Sequence, residues 1–86
     1  MAERSSKRRL IDSRRRWRRR AAAAWTAARR DADLTQYELA DRIGLSHDTI
    51  ASIESGRRRL ELGELLYLAE VLEIDPSKLL ERILKW

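Results

Sequence analysis

Residues 34–59 constrain the fold more than any other part of the chain, because closely spaced capping residues and glycines mark short helices there. The stretch reads LTQYELADRIGLSHDTIASIESGRRR. Thr35 and Glu38 form the T-x-x-E pattern of a capping box, which starts a helix. Gly44 supplies the left-handed residue that ends this helix, and Ser46 caps the next one. The pattern therefore predicts a helix, a tight turn and a second helix.

The apolar residues of the two helices recur at helical spacing, so each helix is expected to bury one face. The predicted inward residues are Leu39, Ala40 and Ile43, followed by Thr49, Ile50 and Ile53. Gly56 is expected to close the second helix in the same way that Gly44 closes the first.

Three further helices are predicted around this pair, and the sequence shows no strand pattern. A first helix ends at about Arg30, and its apolar stripe consists of Leu10, Trp17, Ala21, Ala24, Trp25 and Ala28. A fourth helix over about residues 62–72 lacks a good cap, and its stripe consists of Leu62, Leu65, Leu66, Ala69 and Leu72. Asp75-Pro76 starts a fifth helix, which carries Leu79, Leu80, Ile83, Leu84 and Trp86. The predicted fold class is all-α, a compact bundle of five helices.

Charge is divided unevenly along the chain. Residues 1–30 hold 12 lysines and arginines against 2 acids, and residues 31–86 hold 7 against 12, so their net charges are +10 and −5. We assign residues 1–20 to an arginine-rich arm, mobile or extending the first helix, and residues 21–86 to the domain. Such an arm favours a polyanionic partner, and the alternative is a solvated tail that only keeps the protein soluble.

The composition argues against several other classes of protein. The chain of 86 residues is the size of one small domain, and it has no cysteine for a disulfide or a thiolate metal site. One histidine cannot form a zinc site alone, and no nucleophile, base and metal ligands cluster in the sequence, so we expect neither an enzyme nor a cofactor. Because no apolar run could span a membrane and no secretory signal is recognisable, a cytoplasmic protein is expected.

On these residues, the chain from residue 25 to residue 80 resembles the Cro/C1-type helix-turn-helix family of phage repressors and bacterial regulators. The resemblance rests on the spacing T-Q-x-x-L-A-x-x-x-G-L-S-x-x-T-I-x-x-I-E-x-G, followed by LLYLAEVLEIDPSKLL. Arg29 and Glu54 match the structural ion pair of this family. The resemblance implies a lambda-repressor-like fold with its motif at about residues 35–55. It also implies a transcriptional regulator, with repression expected, that binds double-stranded DNA sequence-specifically.

The same resemblance implies that the N-terminal part of the recognition helix, about residues 46–55, enters the major groove. The residues matched to base readout are Gln36, Ser46, His47, Asp48 and Ser52. The residues assigned to the DNA backbone are Thr35, Ser55, Arg57, Arg58 and Arg59. Arm residues expected to add phosphate or minor-groove contacts are Arg14, Arg15, Arg16, Arg18, Arg19 and Arg20.

Two of these residues have more than one interpretation. Asp48 departs from the family pattern, in which a neutral or basic residue is usual. Its carboxylate can accept a hydrogen bond from cytosine, but the DNA phosphates repel it. His47 is interpreted either as a hydrogen-bond donor to guanine or thymine or a contact to phosphate, or as an exposed polar residue at a helix N-terminus.

The fifth helix carries more apolar residues than a domain of this size can bury, so we expect an isologous homodimer on a near-palindromic operator. The dimer candidates are Ile83, Leu84 and Trp86. The alternative is that this helix packs back onto its own first helix near Trp17 and Trp25.

Two other functions of the protein stay open. One is an antitoxin or other protein-interaction regulator that also binds its own promoter, and the other is RNA binding through the arginine-rich segment.

Overall fold

The structure, a computed structural model, describes the backbone of residues 2–85 and the side chains of residues 7–85. Over that range it contains five α-helices and no strand, which confirms the predicted fold class. The helices are α1 (Ala2–Asp31), α2 (Gln36–Ile43), α3 (His47–Glu54), α4 (Leu62–Leu72) and α5 (Pro76–Lys85). None of them combines the length and the apolar composition needed to cross a membrane.

α1 is one helix of 30 residues that joins the arm to the domain. At 1.5 Å per residue it is about 45 Å long, close to the 49 Å longest dimension of the molecule. Only its second half is enclosed, because Trp25 is fully buried whereas Leu10 and Trp17 are 53% and 40% exposed. The apolar stripe of α1 is therefore buried only in its second half, because the first half extends past the elements that could cover it.

The core lies between the second half of α1 and the other four helices. Its largest fully buried side chains are Trp25, Leu39, Ile50, Ile53, Leu68 and Leu79. The predicted inward residues of α2 and α3 are confirmed except for Thr49, which is only partly buried and whose hydroxyl lies 2.9 Å from that of Ser46. The apolar stripe of α4 is only partly buried, since Leu62 and Leu66 are exposed, and Leu68 outside that stripe is fully buried.

The helix ends around the motif form as predicted. The Thr35 hydroxyl accepts a hydrogen bond from the Glu38 N–H at 3.1 Å, and the Glu38 carboxylate accepts one from the Thr35 N–H at 3.0 Å. The backbone hydrogen bond from Thr35 lowers the pKa of Glu38, because it stabilises the charged carboxylate. Gly44 ends α2 with φ of 77°, and Ser46 caps α3 through the Thr49 N–H at 3.1 Å.

Two other helix ends differ from the prediction. Ser55 is the cap of α3 and keeps a right-handed conformation, so Gly56 takes the left-handed one a residue later, with φ of 80°. The start of α4 is capped after all, since the Glu64 carboxylate accepts a hydrogen bond from the Glu61 N–H at 3.0 Å. An ion pair with Arg58 at 2.7 Å holds that carboxylate in place and lowers the pKa of Glu64.

α5 begins as predicted, with the Asp75 carboxylate accepting a hydrogen bond from the Ser77 N–H at 2.9 Å. The helix packs against the protomer's own α1, and Arg82 adds an ion pair to Asp31 at 2.7 Å. Ile83 is buried in this contact, so the expectation that it stays exposed for a partner is wrong. Leu84 is 63% exposed. Trp86, the third dimer candidate, lies outside the described residues.

Replacing Gly44 with alanine is expected to destabilise the domain by about 1–2 kcal/mol, because a Cβ is disfavoured at positive φ. No neighbouring atom lies within 4 Å of the added Cβ, so the backbone conformation alone determines the cost. Gly63, which also has free space for a Cβ but lies inside α4, is the matched control. Gly63→Ala should stabilise the domain by about 0.5 kcal/mol. Urea unfolding of both variants checks the difference in sign, and an equal effect of the two substitutions would contradict it.

Candidate nucleic-acid interface

The N-terminal turn of α3 displays its polar side chains on the outside of the motif. The side chain of Asp48 is fully exposed, and that of His47 is 31% exposed. Asp48 and Ser52 line a shallow concavity of about 300 Å³ together with Arg57 and Arg58 from the following loop. The predicted base-readout residues of α3 therefore lie beside the predicted backbone contacts.

Gln36 and His47, two further base-readout candidates, contact each other. The Gln36 Oε1 and the His47 Nε2 are 3.1 Å apart, and the Gln36 Nε2 donates to the Glu54 Oε1 at 3.1 Å. The His47 ring stacks on Tyr37, with 3.8 Å between the centroids and 4° between the planes. Sequence reasoning missed Tyr37, because the family spacing leaves that position open and only its place beside Gln36 could have indicated a role.

The predicted ion pair between Arg29 and Glu54 is present beneath this surface. The Arg29 Nε and Nη2 donate to the two carboxylate oxygens at 2.7 and 2.9 Å. Arg29 Nη1 also donates to the Leu34 carbonyl at 2.7 Å. The side chains are only 10% and 6% exposed, and the hydrogen bond to Glu54 raises the pKa of Arg29. The pair fixes α1 against the end of α3 and so helps to set the direction of α3.

The candidates for contacts to the DNA backbone differ in whether their side chains are already paired within the protomer. Arg58 makes a bidentate ion pair with Glu64, at 2.8 and 2.7 Å, so its charge is already paired within the protomer. Arg57 is exposed and reaches the Ser55 hydroxyl at 3.3 Å, while Arg59 is exposed. The Thr35 hydroxyl oxygen caps α2, which leaves its O–H as a donor. Arg57 and Arg59 are thus better placed than Arg58 to meet phosphates.

The arm lies next to this loop. Arg14 and Arg18 of α1 line one cleft of about 480 Å³ with Arg59, and Trp17 and Ile83 contribute to its apolar lining. Arg16 and Arg20 sit over the Trp17 ring, 5.7 and 5.2 Å from its centroid, a cation–π arrangement. Arg15 and Arg19 are exposed on the helix surface. The fold therefore brings arm and loop arginines together at a single cleft.

Among the described side chains, those of residues 7–85, no group of histidine, cysteine or carboxylate side chains could hold a metal ion. The surface described above offers hydrogen-bond donors and acceptors on a rigid helix, flanked by cations. Such a surface can bind a polyanion and read polar groups on it.

Comparison with known proteins agrees with this geometry. A family model described as helix-turn-helix matches residues 27–79. No curated protein sequence matches the chain. The fold is similar to the crystal structure of the clp gene regulator ClgR from C. glutamicum, with a TM-score of 0.74 and 23% identity over 80% of this chain and 90% of that one. The match over most of the domain, with the motif geometry described above, shows that the chain belongs to the Cro/C1-type helix-turn-helix family of DNA-binding regulators.

Proposed function

We propose that this protein is a sequence-specific transcriptional regulator, acting as a repressor, that inserts α3 into the major groove of double-stranded DNA. The observation that supports the proposal is that α3 has a buried apolar face and exposed polar side chains. Ile50 and Ile53 anchor one face in the core, while Asp48 projects from the opposite side and His47, 31% exposed, lies beside it. A helix fits the major groove, where each base pair presents a distinct set of donors and acceptors. The protein would act in the cytoplasm, on the nucleoid.

The regulator would bind as a homodimer. Leu80 and Leu84 are 36% and 63% exposed on α5, which supports a contact between two copies on this face. A two-fold dimer places two recognition helices about 34 Å apart and so selects a near-palindromic site. Because Ile83 is buried in its own protomer, this contact would rest on Leu84 and Leu80 instead.

The arm would increase the affinity for DNA through contacts with the backbone phosphates. Residues 31–86, most of the domain, carry a net charge of −5, so this part of the chain alone is poorly suited to a polyanion. An α-helix is about 10–12 Å across, and the minor groove is about 6 Å wide, so the helical arm suits the backbone or the major groove better than the minor groove. Arg14 and Arg18 stand beside Arg59, which supports one basic surface running from the loop onto the arm.

Selection of bound duplexes from a random pool tests the function. We expect a near-palindrome, and we expect Asp48→Ala to change the preferred base at a symmetric pair of positions. Asp41→Ala removes an exposed carboxylate from α2 and is the matched control, which should leave the selected sequence unchanged. One altered base contact should change discrimination by about 1–3 kcal/mol. A pool without any sequence preference would refute the proposal.

A further inference from the structure

His47 is the only histidine of the chain, and its ring is held on two sides by α2. Tyr37 covers one face of the ring at 3.8 Å, and Gln36 Oε1 lies 3.1 Å from Nε2. The remaining ring nitrogen, Nδ1, lies 4.0 Å from the exposed carboxylate of Asp48. The ring therefore has an inner edge, Nε2, which contacts Gln36, and an outer edge, Nδ1, which is directed to the side where DNA would bind.

A chain of hydrogen bonds determines which nitrogen of His47 carries the proton. Glu54 is ion-paired with Arg29, so its carboxylate is charged and can only accept hydrogen bonds. The group of Gln36 that faces Glu54 must then be the amide nitrogen, and the group that faces His47 must be the oxygen. Since an amide oxygen can only accept, His47 Nε2 must be the donor.

We propose that Gln36 fixes neutral His47 as the Nε2–H tautomer and thereby makes its outer nitrogen, Nδ1, a hydrogen-bond acceptor that selects base edges bearing an amino group. In the major groove these are cytosine N4 and adenine N6. The neighbouring Asp48 carboxylate is also an acceptor, so the start of α3 presents two acceptors side by side. This specificity rests on the proposed function, whereas the tautomer does not.

Protonation would reverse the character of the outer edge. The groups facing His47 are Asp48 on its own helix and Tyr37 and Gln36 on α2, with Glu54 behind Gln36. A proton added at Nδ1 turns that nitrogen into a donor, and Asp48 is the nearest acceptor for it. Both acceptors would then be lost to the base. Protonation at Nδ1 would therefore weaken the preference for amino edges.

The tautomer is tested first, by nitrogen NMR of the ¹⁵N-labelled full chain without DNA, at a pH where the spectrum itself shows a neutral imidazole. A single histidine makes the assignment unambiguous. We expect a protonated Nε2 and an unprotonated Nδ1. Gln36→Met removes the fixed acceptor and should give a mixture of tautomers, with far-ultraviolet circular dichroism confirming that the variant is folded. A wild-type protein with its proton on Nδ1, or a Gln36→Met spectrum equal to that of the wild type, would overturn the proposal.

The specificity is tested by selecting duplexes with the wild type and with His47→Ala. The position that His47→Ala alters should hold cytosine or adenine, preferred roughly threefold to tenfold, as one hydrogen bond allows. Guanine or thymine at that position, or a selected sequence that His47→Ala leaves unchanged, would overturn the specificity. Absence of any selected sequence would instead refute the proposed function and leave the NMR result standing.

Discussion

Glu54→Ala is expected to lower the free energy of unfolding by roughly 3–5 kcal/mol, the usual cost of removing one partner of a buried ion pair. The substitution leaves the Arg29 guanidinium, 10% exposed, with only the Leu34 carbonyl among the partners described above. It also removes the acceptor that orients the Gln36 amide. Urea unfolding measures the loss, and the same variant should bind DNA more weakly because α3 is no longer fixed against α1.

Two further variants make this prediction specific to an unpaired buried charge. The double substitution of Arg29 to Met and Glu54 to Leu removes both charges, so it should destabilise the domain less than Glu54→Ala does. Arg58→Ala breaks an ion pair in which the arginine is 37% exposed, and solvent screening should make its effect much smaller. A Glu54→Ala effect no larger than that of Arg58→Ala would show that the buried pair contributes little.

Features that depend on neighbouring residues could be predicted from the sequence. The capping box at Thr35, the left-handed Gly44 and the Ser46 cap are each determined by a few adjacent residues, so their pattern sufficed. The inward face of α4 could not be predicted in the same way. Its sequence, LGELLYLAEVL, is apolar on most sides, and only packing against the other helices shows that Leu68 is buried while Leu62 and Leu66 are not.

In the candidate site, too, some features could be predicted from the sequence and others depend on how the helices pack. The resemblance to the family identified the positions of Gln36, His47 and Asp48, but it could not show what these side chains contact in the folded protein. The stacking of His47 on Tyr37 joins two helices, as does the Gln36 bridge to Glu54. Arg58 is a similar case, because it was grouped with its neighbours by charge and its pairing with Glu64 depends on where α4 begins.

Replacing Arg14, Arg15 and Arg18 of the arm with glutamine is expected to weaken DNA binding roughly 10²-fold at about 0.1 M salt. Each phosphate contact contributes about 0.9 to the slope of log affinity against log salt concentration, so the slope should fall by about 2–3. Glutamine keeps a good helix propensity, which separates the loss of charge from unfolding of the arm. Binding isotherms over a range of salt concentrations measure both quantities.

The loss should be nearly the same for specific and random duplexes, because phosphates carry no sequence information. Replacing Arg30, Arg42 and Lys78 with glutamine removes the same charge from the exposed surface of the domain. This control should change the slope far less, since these residues lie neither on the arm nor in the cleft where Arg14 and Arg18 meet Arg59. An equal effect of the two triple variants would mean that only net charge matters. In that case the position of the arm beside the loop would have no role in binding. The affinity would then have to come from the overall electrostatic field of the protein.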